Sequence, residues 1–375
     1  MFSRRIYLDH AATTFAEEAV IDAMARCMRD TAYNASAAYS AAGEARRIHR
    51  LCRLQLSSML GCQAQDIYFT SGGTEANNWA VQSFAGQHAV IAATEHHSIL
   101  EAARTCGCRV TLVYPDGSGF VSPQAIENAL TPETQLICLQ AANNETGVIQ
   151  PVSEVYAIAR ARGIHLHVDA VQAFGHIPVS AACCGSMSLS AHKLYGPRGA
   201  GALYIRPGSP IRPLLSGGGQ ESGMRAGTEN TPAICGFHVA AQMADEDMHL
   251  RSGRERSLLA AFVRRLQACA PAIRLLGDGR ERLPSVAALL LPGVSSEAVI
   301  AALDLQGILI SGGAACAARS GTPSHVYTAM GLSAQEAACV IRVSIGRHTS
   351  DDDLSAAAEA ILALIPAPAR QNTSR

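Results

Sequence analysis

Between residues 65 and 205, short and nearly unbroken apolar runs alternate with longer mixed stretches. The runs Ile67–Thr70, Ala89–Ala93, Arg109–Val113, Leu136–Gln140, His165–Asp169, Ser186–Ser190 and Gly201–Ile205 read as strands, and Glu75–Phe84, Ser122–Ala129 and Val152–Arg162 as helices. This alternation predicts an α/β domain whose largely parallel sheet is covered on both faces. Thr231–Ala270, rich in Ala, Arg and Leu, predicts a long helix linking this lobe to a smaller α+β one. The smaller lobe is assembled from a strand Val286–Leu291, a helix near 296–306, a Gly/Ala/Ser-rich loop 311–324, a strand Val340–Ile345 and a final helix Leu354–Ile365. The tail 366–375 reads as a frayed end. The expected division is a large domain over 15–250, with 1–14 and 251–375 forming the small domain that carries the 311–324 loop.

In open α/β sheets, ligands bind outside the carboxyl ends of the strands. The polar clusters fall at those ends: Ser71-Gly-Gly-Thr74 after the first strand, Glu95-His96-His97 after the second and Asn143-Asn144 after the fourth. Asp169 closes the fifth strand, and His192-Lys193 follows the sixth. Five polar groups delivered to one rim predict a site.

Composition narrows its chemistry. The net charge of −1 argues against a direct nucleic-acid partner, which needs a basic excess, and no apolar run is long enough to span a bilayer. Residues 1–10 include Arg4 and Arg5 but lack a following apolar stretch of signal-peptide type, so a cytoplasmic location is expected. The 12 cysteines contain no CxxC pair, which points to free thiols and away from structural zinc.

Of the 30 basic residues, 29 are arginine and one, Lys193, is lysine. A primary amine condenses with an aldehyde; a guanidinium does not. Beside it, Ser71–Asn78 has the small residues and helix start that suit a phosphate, with Thr74 as a hydroxyl donor, and Ser190 and His192 flank the amine. Asp169 is placed to pair with a protonated ring nitrogen. His165, His167 and Asp169 also share one strand face, so a metal site is a competing reading.

Further motifs follow in order: Tyr7-Leu-Asp-His-Ala-Ala-Thr-Thr14, Phe69-Thr-Ser-Gly-Gly-Thr-Glu75, Thr94-Glu-His96, Asn143-Asn-Glu-Thr-Gly147, His167-Val-Asp-Ala-Val-Gln172, Ser190-Ala-His-Lys193 and Tyr195-Gly-Pro-Arg-Gly199. After them come Gly217-Gly-Gly-Gln-Glu221, Met224-Arg-Ala-Gly-Thr228, the loop around Cys316 and Ile341-Arg-Val-Ser-Ile-Gly-Arg347. In these motifs the chain resembles the cysteine desulfurases of the NifS/IscS type, in the class V branch of fold-type I pyridoxal-phosphate enzymes. The resemblance runs from residue 7 to 347.

It implies pyridoxal 5′-phosphate bound to Lys193, which also moves protons at the substrate α-carbon. It further implies that His96 stacks on the ring as an acid/base, that Asp169 pairs with the ring nitrogen and that Gln172 contacts the ring hydroxyl. Gly73, Thr74, Ser190 and His192 would hold the phosphate, joined by Thr228 of a second subunit in a homodimer. Asn144 and Arg342 would bind the carboxylate of L-cysteine, and no metal is implied. Cys316 would take the substrate sulfur as a persulfide, releasing alanine, and pass it to an acceptor protein. Iron–sulfur assembly, tRNA or DNA sulfur modification and other thio-cofactor pathways are the acceptor classes the resemblance implies. A loop of Ser, Gly and Ala lets a thiolate reach first a bound ligand and then a partner.

The chain departs from the family pattern in three places. Gly313-Ala-Ala315 and Ala317-Ala318 replace the usual polar flanks of the cysteine, Tyr33-Asn-Ala-Ser-Ala37 replaces Gly-Asn-Pro-Ser-Ser, and Ala191 stands where glycine is common. Two other readings compete: a related class V activity on selenocysteine or in aminotransfer, and a sulfur-carrier-binding subunit without turnover.

Overall fold

The computed structural model describes residues 5–313 and 323–365. A short strand β1 (Ile6–Tyr7) precedes helices α1 (Glu18–Asp30) and α2 (Ala42–Leu60). The alternation then runs β2 (Ile67–Thr70), α3 (Gly73–Gln82), β3 (His88–Ala92), α4 (His97–Thr105) and β4 (Arg109–Val113). It continues through α5 (Pro123–Ala129), β5 (Thr134–Cys138), α6 (Val152–Ala161), β6 (His165–Asp169), β7 (Ser186–Ser190) and β8 (Gly201–Ile205). The long helix α7 (Thr231–Cys269) leads into β9 (Arg274–Leu275), β10 (Val286–Leu290), α8 (Ser296–Asp304) and β11 (Ile308–Leu309). The described chain closes with α9 (His325–Ala329), α10 (Ala334–Ala337), β12 (Val340–Ser344) and α11 (Asp351–Leu362).

The seven-stranded sheet has the order β2-β8-β7-β6-β5-β3-β4 and is parallel except for β8, which is antiparallel to both neighbours. All seven strands read from the sequence are present, and β3 and β5 start and end one or two residues earlier than expected. The shift has a physical cause. Polar His88 and Thr134 pair inside the sheet, His88 Nδ1 lying 2.8 Å from Thr134 Oγ1, so polarity does not mark the strand start. Helices α1 and α2 were not anticipated. Their buried positions Val20, Ala23, Cys27 and Ala45, Ile48, Cys52, Leu56 follow helical spacing, and both helices pack on α7.

The apolar interior changes hands along α7. Residues up to Ala244 join the core that includes β5–β8, whereas Leu259, Phe262, Val263 and Leu266 join a second core with Leu289, Ile341 and Val343. The N-terminal segment crosses between the two: Leu8 belongs to the second core and Ala11 to the first. No described helix is long and apolar enough to cross a membrane.

Several histidines are held inside as neutral rings. Burial pushes His49 and His165 down to about 4 and His167 and His176 down to about 3, from an ordinary 6.5. The unfolded chain binds protons that these native rings refuse. Their contribution to stability is therefore complete above pH 6.5 and is lost as pH falls from there toward 4 and 3. The urea midpoint should stay level above about pH 7 and fall progressively between about pH 6.5 and 4, with net proton uptake on unfolding in that window. A midpoint independent of pH across that range would contradict the assignment.

Candidate active site

A cavity of about 280 Å³ opens at the carboxyl ends of the sheet strands. Of the residues singled out in the sequence, Gly73, Thr74, His96, Asn144, Asp169, Gln172, Ser190, His192, Lys193 and Arg342 line it. Thr228 does not; it is exposed, three residues beyond an ion pair in which Arg225 Nε meets Glu75 Oε1 at 2.8 Å. Cys316 lies outside the described residues.

Strand β7 ends at Ser190 and a 3₁₀ turn, Ala191–Lys193, carries the lysine onto the rim. The Lys193 ammonium donates to the carbonyls of Ala11 at 2.5 Å and Ala12 at 2.8 Å. The N-terminal segment is fixed over this turn: the Thr14 hydroxyl donates to the His192 carbonyl at 2.9 Å and accepts from the Tyr195 amide at 2.8 Å.

Gly72, the residue that caps the start of α3, has φ +151°, outside the range open to other residues. A Cβ at Gly73 would collide with Val171 Cγ2, so the helix start packs against the β6 turn at backbone distance. The result is a shallow cradle of small residues at a helix N-terminus.

The hydrogen bonds behind the rim have one consistent direction. Asn77 Nδ2 donates to Asp169 Oδ2 at 2.7 Å and to Ser98 Oγ at 2.9 Å, leaving Asn77 Oδ1 to accept from His167 Nε2 at 3.0 Å. Ser98 Oγ then turns its proton to His96 Nδ1 at 2.7 Å, and the Ser98 amide donates to the same nitrogen at 3.1 Å. His96 is thereby held with its proton on Nε2. Burial, its largest influence, lowers the His96 pKa; Asp169 opposes this and Lys193 adds to it. Asp169 Oδ1 accepts the Val171 amide at 2.9 Å. His165 and His167 both bond Ser186 Oγ at 2.9 Å, which accounts for the strand face that also suited a metal. Among the described residues, no group of three or more His, Cys, Asp or Glu is arranged to hold a metal.

Arg342, only 1% exposed, comes from β12 and pairs with Asp9 Oδ1 at 2.7 Å and with the Asn144 carbonyl at 3.0 Å. Its backbone pairs with Ser311, so the start of the 311–324 loop is rooted beside this guanidinium. The far end is also rooted here: Ser324 Oγ donates to Glu145 Oε2 at 2.6 Å, and His325 Nε2 to the Glu95 carbonyl at 2.9 Å. Burial raises the Glu145 pKa. The Gly217–Glu221 motif serves the fold instead of the cavity: the Glu221 carboxylate accepts from the Phe69 amide at 2.7 Å and from Arg53 at 2.5 Å.

The sequence reading did not single out Asn77 and Ser98, which line the cavity, or Glu145 and His325, which anchor the far end of the 311–324 loop. Gly73 and Asn77 lie four residues apart on one helix face, and Ser98 follows the helix-capping His96 by two, so both had a local signal. Glu145 and His325 are linked to their partners across long sequence separations and had none.

Ser190 Oγ, Gln172 Oε1 and Arg342 Nε are buried and without partners within the protein. A flat, anionic group with an aldehyde suits this set, since a hydroxyl and glycine cradle, the Asp169 carboxylate and a lysine amine line one cavity. The residues present therefore fit pyridoxal phosphate.

Comparison with known proteins agrees. The model of the aminotransferase class-V family matches residues 6–356. A cysteine desulfurase IscS of Clostridium botulinum is 36% identical, with 97% of this chain and 95% of the relative covered. A NifS-like protein from Rickettsia africae superposes with TM-score 0.89 at 30% identity, covering 96% of this chain and 99% of the other. A structure described as SspA in complex with cysteine has TM-score 0.81 and 31% identity, covering 92% and 100%.

Replacing Asn77 with Ala leaves Asp169, Ser98 and His167 each short of a buried partner. The expected loss of stability is about 1–3 kcal/mol, read from chemical denaturation, together with weaker cofactor retention. Unchanged values for both would remove Asn77 from this role.

Proposed function

Because the chain belongs to the aminotransferase class-V family and its site fits pyridoxal phosphate, we propose that it is a cysteine desulfurase. It would convert L-cysteine to L-alanine and pass the sulfur, through Cys316, to an acceptor protein. The observation that carries this reading is the single lysine, which lines one cavity with Asp169, His96 and the glycine cradle.

When bound, the cofactor supplies an electron sink for charge that develops at the substrate α-carbon. Gly73, Thr74, Ser190 and His192 would hold its phosphate, Gln172 its ring hydroxyl and Asp169 its ring nitrogen. Asn144 and the Arg342 guanidinium would take the substrate carboxylate, a geometry suited to two parallel N–H donors. Lys193 Nζ would remove the proton from Cα and His96 Nε2 would steady the reacting end. The Cys316 thiolate would then bond the substrate Sγ as the Cβ–Sγ bond breaks, with the carbon receiving a proton to give alanine. Gly313, three residues before Cys316 in the sequence, belongs to the loop end rooted beside Arg342.

The resemblance implies that Thr228 reaches the phosphate of a second subunit in a homodimer, and its exposure on its own chain leaves it open to that contact. Of the division at 15–250, with 1–14 and 251–375 as the second domain, the boundary near 250 is supported by the change of core between Ala244 and Leu259, whereas Ala11, Leu283 and Val286 pack in the first core. The 11 described cysteines are all free, which suits a reducing cytoplasm. Sulfur acceptors for iron–sulfur, tRNA, DNA or other thio-cofactor chemistry all fall within this reading.

Purified holoenzyme should be yellow, and borohydride trapping followed by peptide mapping should place the cofactor on Lys193. Adduct at another residue, or none, would end the proposal. Lys193→Ala should lower alanine formation by about a hundredfold or more. Cys316→Ala should keep the colour and lose turnover; full sulfide release by that variant would take Cys316 out of the reaction.

A further inference from the structure

At the far end of α4 from His96, Cys106 is the capping residue, Gly107 follows with φ +73° and Cys108 comes next. The Gly107 amide donates to the Arg104 carbonyl at 3.3 Å and the Cys108 amide to the Ala103 carbonyl at 2.9 Å. These are the paired bonds of a Schellman ending, in which the chain reverses through a left-handed residue. The reversal folds the two cysteine side chains together, with Sγ···Sγ 3.4 Å. A disulfide bond is about 2 Å long, so closure asks for a shift of little more than about 1 Å, within the reach of side-chain rotation.

We propose that Cys106 and Cys108 form a redox-active dithiol that closes to an intramolecular disulfide by exchange with low-molecular-weight disulfides. The Cys106 thiolate attacks one sulfur of the reagent, forming a mixed disulfide and releasing one thiol. The Cys108 thiolate then attacks the Cys106 sulfur and releases the second. Two protein thiols and one reagent disulfide become one protein disulfide and two reagent thiols. Burial pushes the Cys108 thiol up to about 12, and its sulfur lies 3.3 Å from the Phe84 carbonyl, so Cys108 takes the second, intramolecular step.

Access favours the pair. Both cysteines are half-buried, their neighbours Thr105, Gly107 and Arg109 are exposed, and β4, which follows, is the edge strand of the sheet. Another thiol pair, Cys27 with Cys235, has a buried member and is not open to a reagent in the same way. The inference does not depend on the desulfurase reading, since neither residue lines the cavity.

The test uses holoenzyme equilibrated with mixtures of oxidised and reduced glutathione, then alkylated and digested with trypsin. Cleavage after Arg104 and Arg109 isolates the two cysteines on one peptide, Thr105–Arg109. The expected result is that both escape alkylation together, with the peptide lighter by two hydrogens and alkylation restored by dithiothreitol. A Cys108→Ser variant should stop at a glutathionyl group on Cys106. The proposal is overturned if both cysteines stay alkylated while glutathione oxidises other thiols, if Cys106 is found joined to a different cysteine, or if Cys108→Ser fails to accumulate the mixed disulfide. Should that variant not fold, the wild-type peptide alone decides.

Discussion

The site depends on one carboxamide. Asn77 is buried in α3, and His167 at its oxygen orients the amide so that both N–H groups face Asp169 and Ser98. One of those donations steadies Asp169 on β6, and the other fixes the hydroxyl of Ser98, which fixes the tautomer of His96 on α4. Two cavity-lining side chains from different elements thus take their orientation from one group. An aspartate or leucine of similar size could not replace it, because neither offers two donors and an acceptor in one plane. The cost is a densely polar interior, which is tolerable because every partner in the chain is satisfied.

Much of this was legible before any coordinates. The strands were readable because both faces of a covered parallel sheet are apolar, and the rim residues were readable because such sheets present ligands at one edge. The antiparallel course of β8 was not, since strand direction depends on pairing and Gly201–Ile205 reads the same either way. Helices α1 and α2 escaped because their buried stripes use Ala and Cys as much as larger residues, which blurs the apolar period. Lys193 stood out as the only amine among guanidinium groups. Asn77 was hidden within a motif whose glycines drew attention to the phosphate cradle, and the His325–Glu95 and Ser324–Glu145 contacts follow from the three-dimensional path alone.

Cysteine shows how far residue type alone carries a reading. The free thiols divide by surroundings: Cys52, Cys138 and Cys184 are buried with strongly raised pKa values and serve as small apolar side chains. Cys106 and Cys108 have a different character because a helix ending and one left-handed glycine place two sulfurs together at the sheet edge. The sequence shows the spacing of that pair. It does not show that α4 ends there, and that ending brings the thiols into contact.

The N-terminal segment completes the argument, because it ties the lysine turn to Arg342 and its strand. Leu8 is buried with the second core, Asp9 holds Arg342, the carbonyls of Ala11 and Ala12 receive Lys193, and Thr14 bonds both sides of the lysine turn. The Ala11 amide donates to Ser344 Oγ at 2.9 Å on β12, the strand that bears Arg342 and pairs with the root of the 311–324 loop. Movement of the second core would therefore be transmitted to Arg342, the loop root and the lysine through seven residues of backbone, 8–14. The lysine turn packs with the first core and the strand bearing Arg342 with the second, so without such a tie the two sides of the cavity would shift independently.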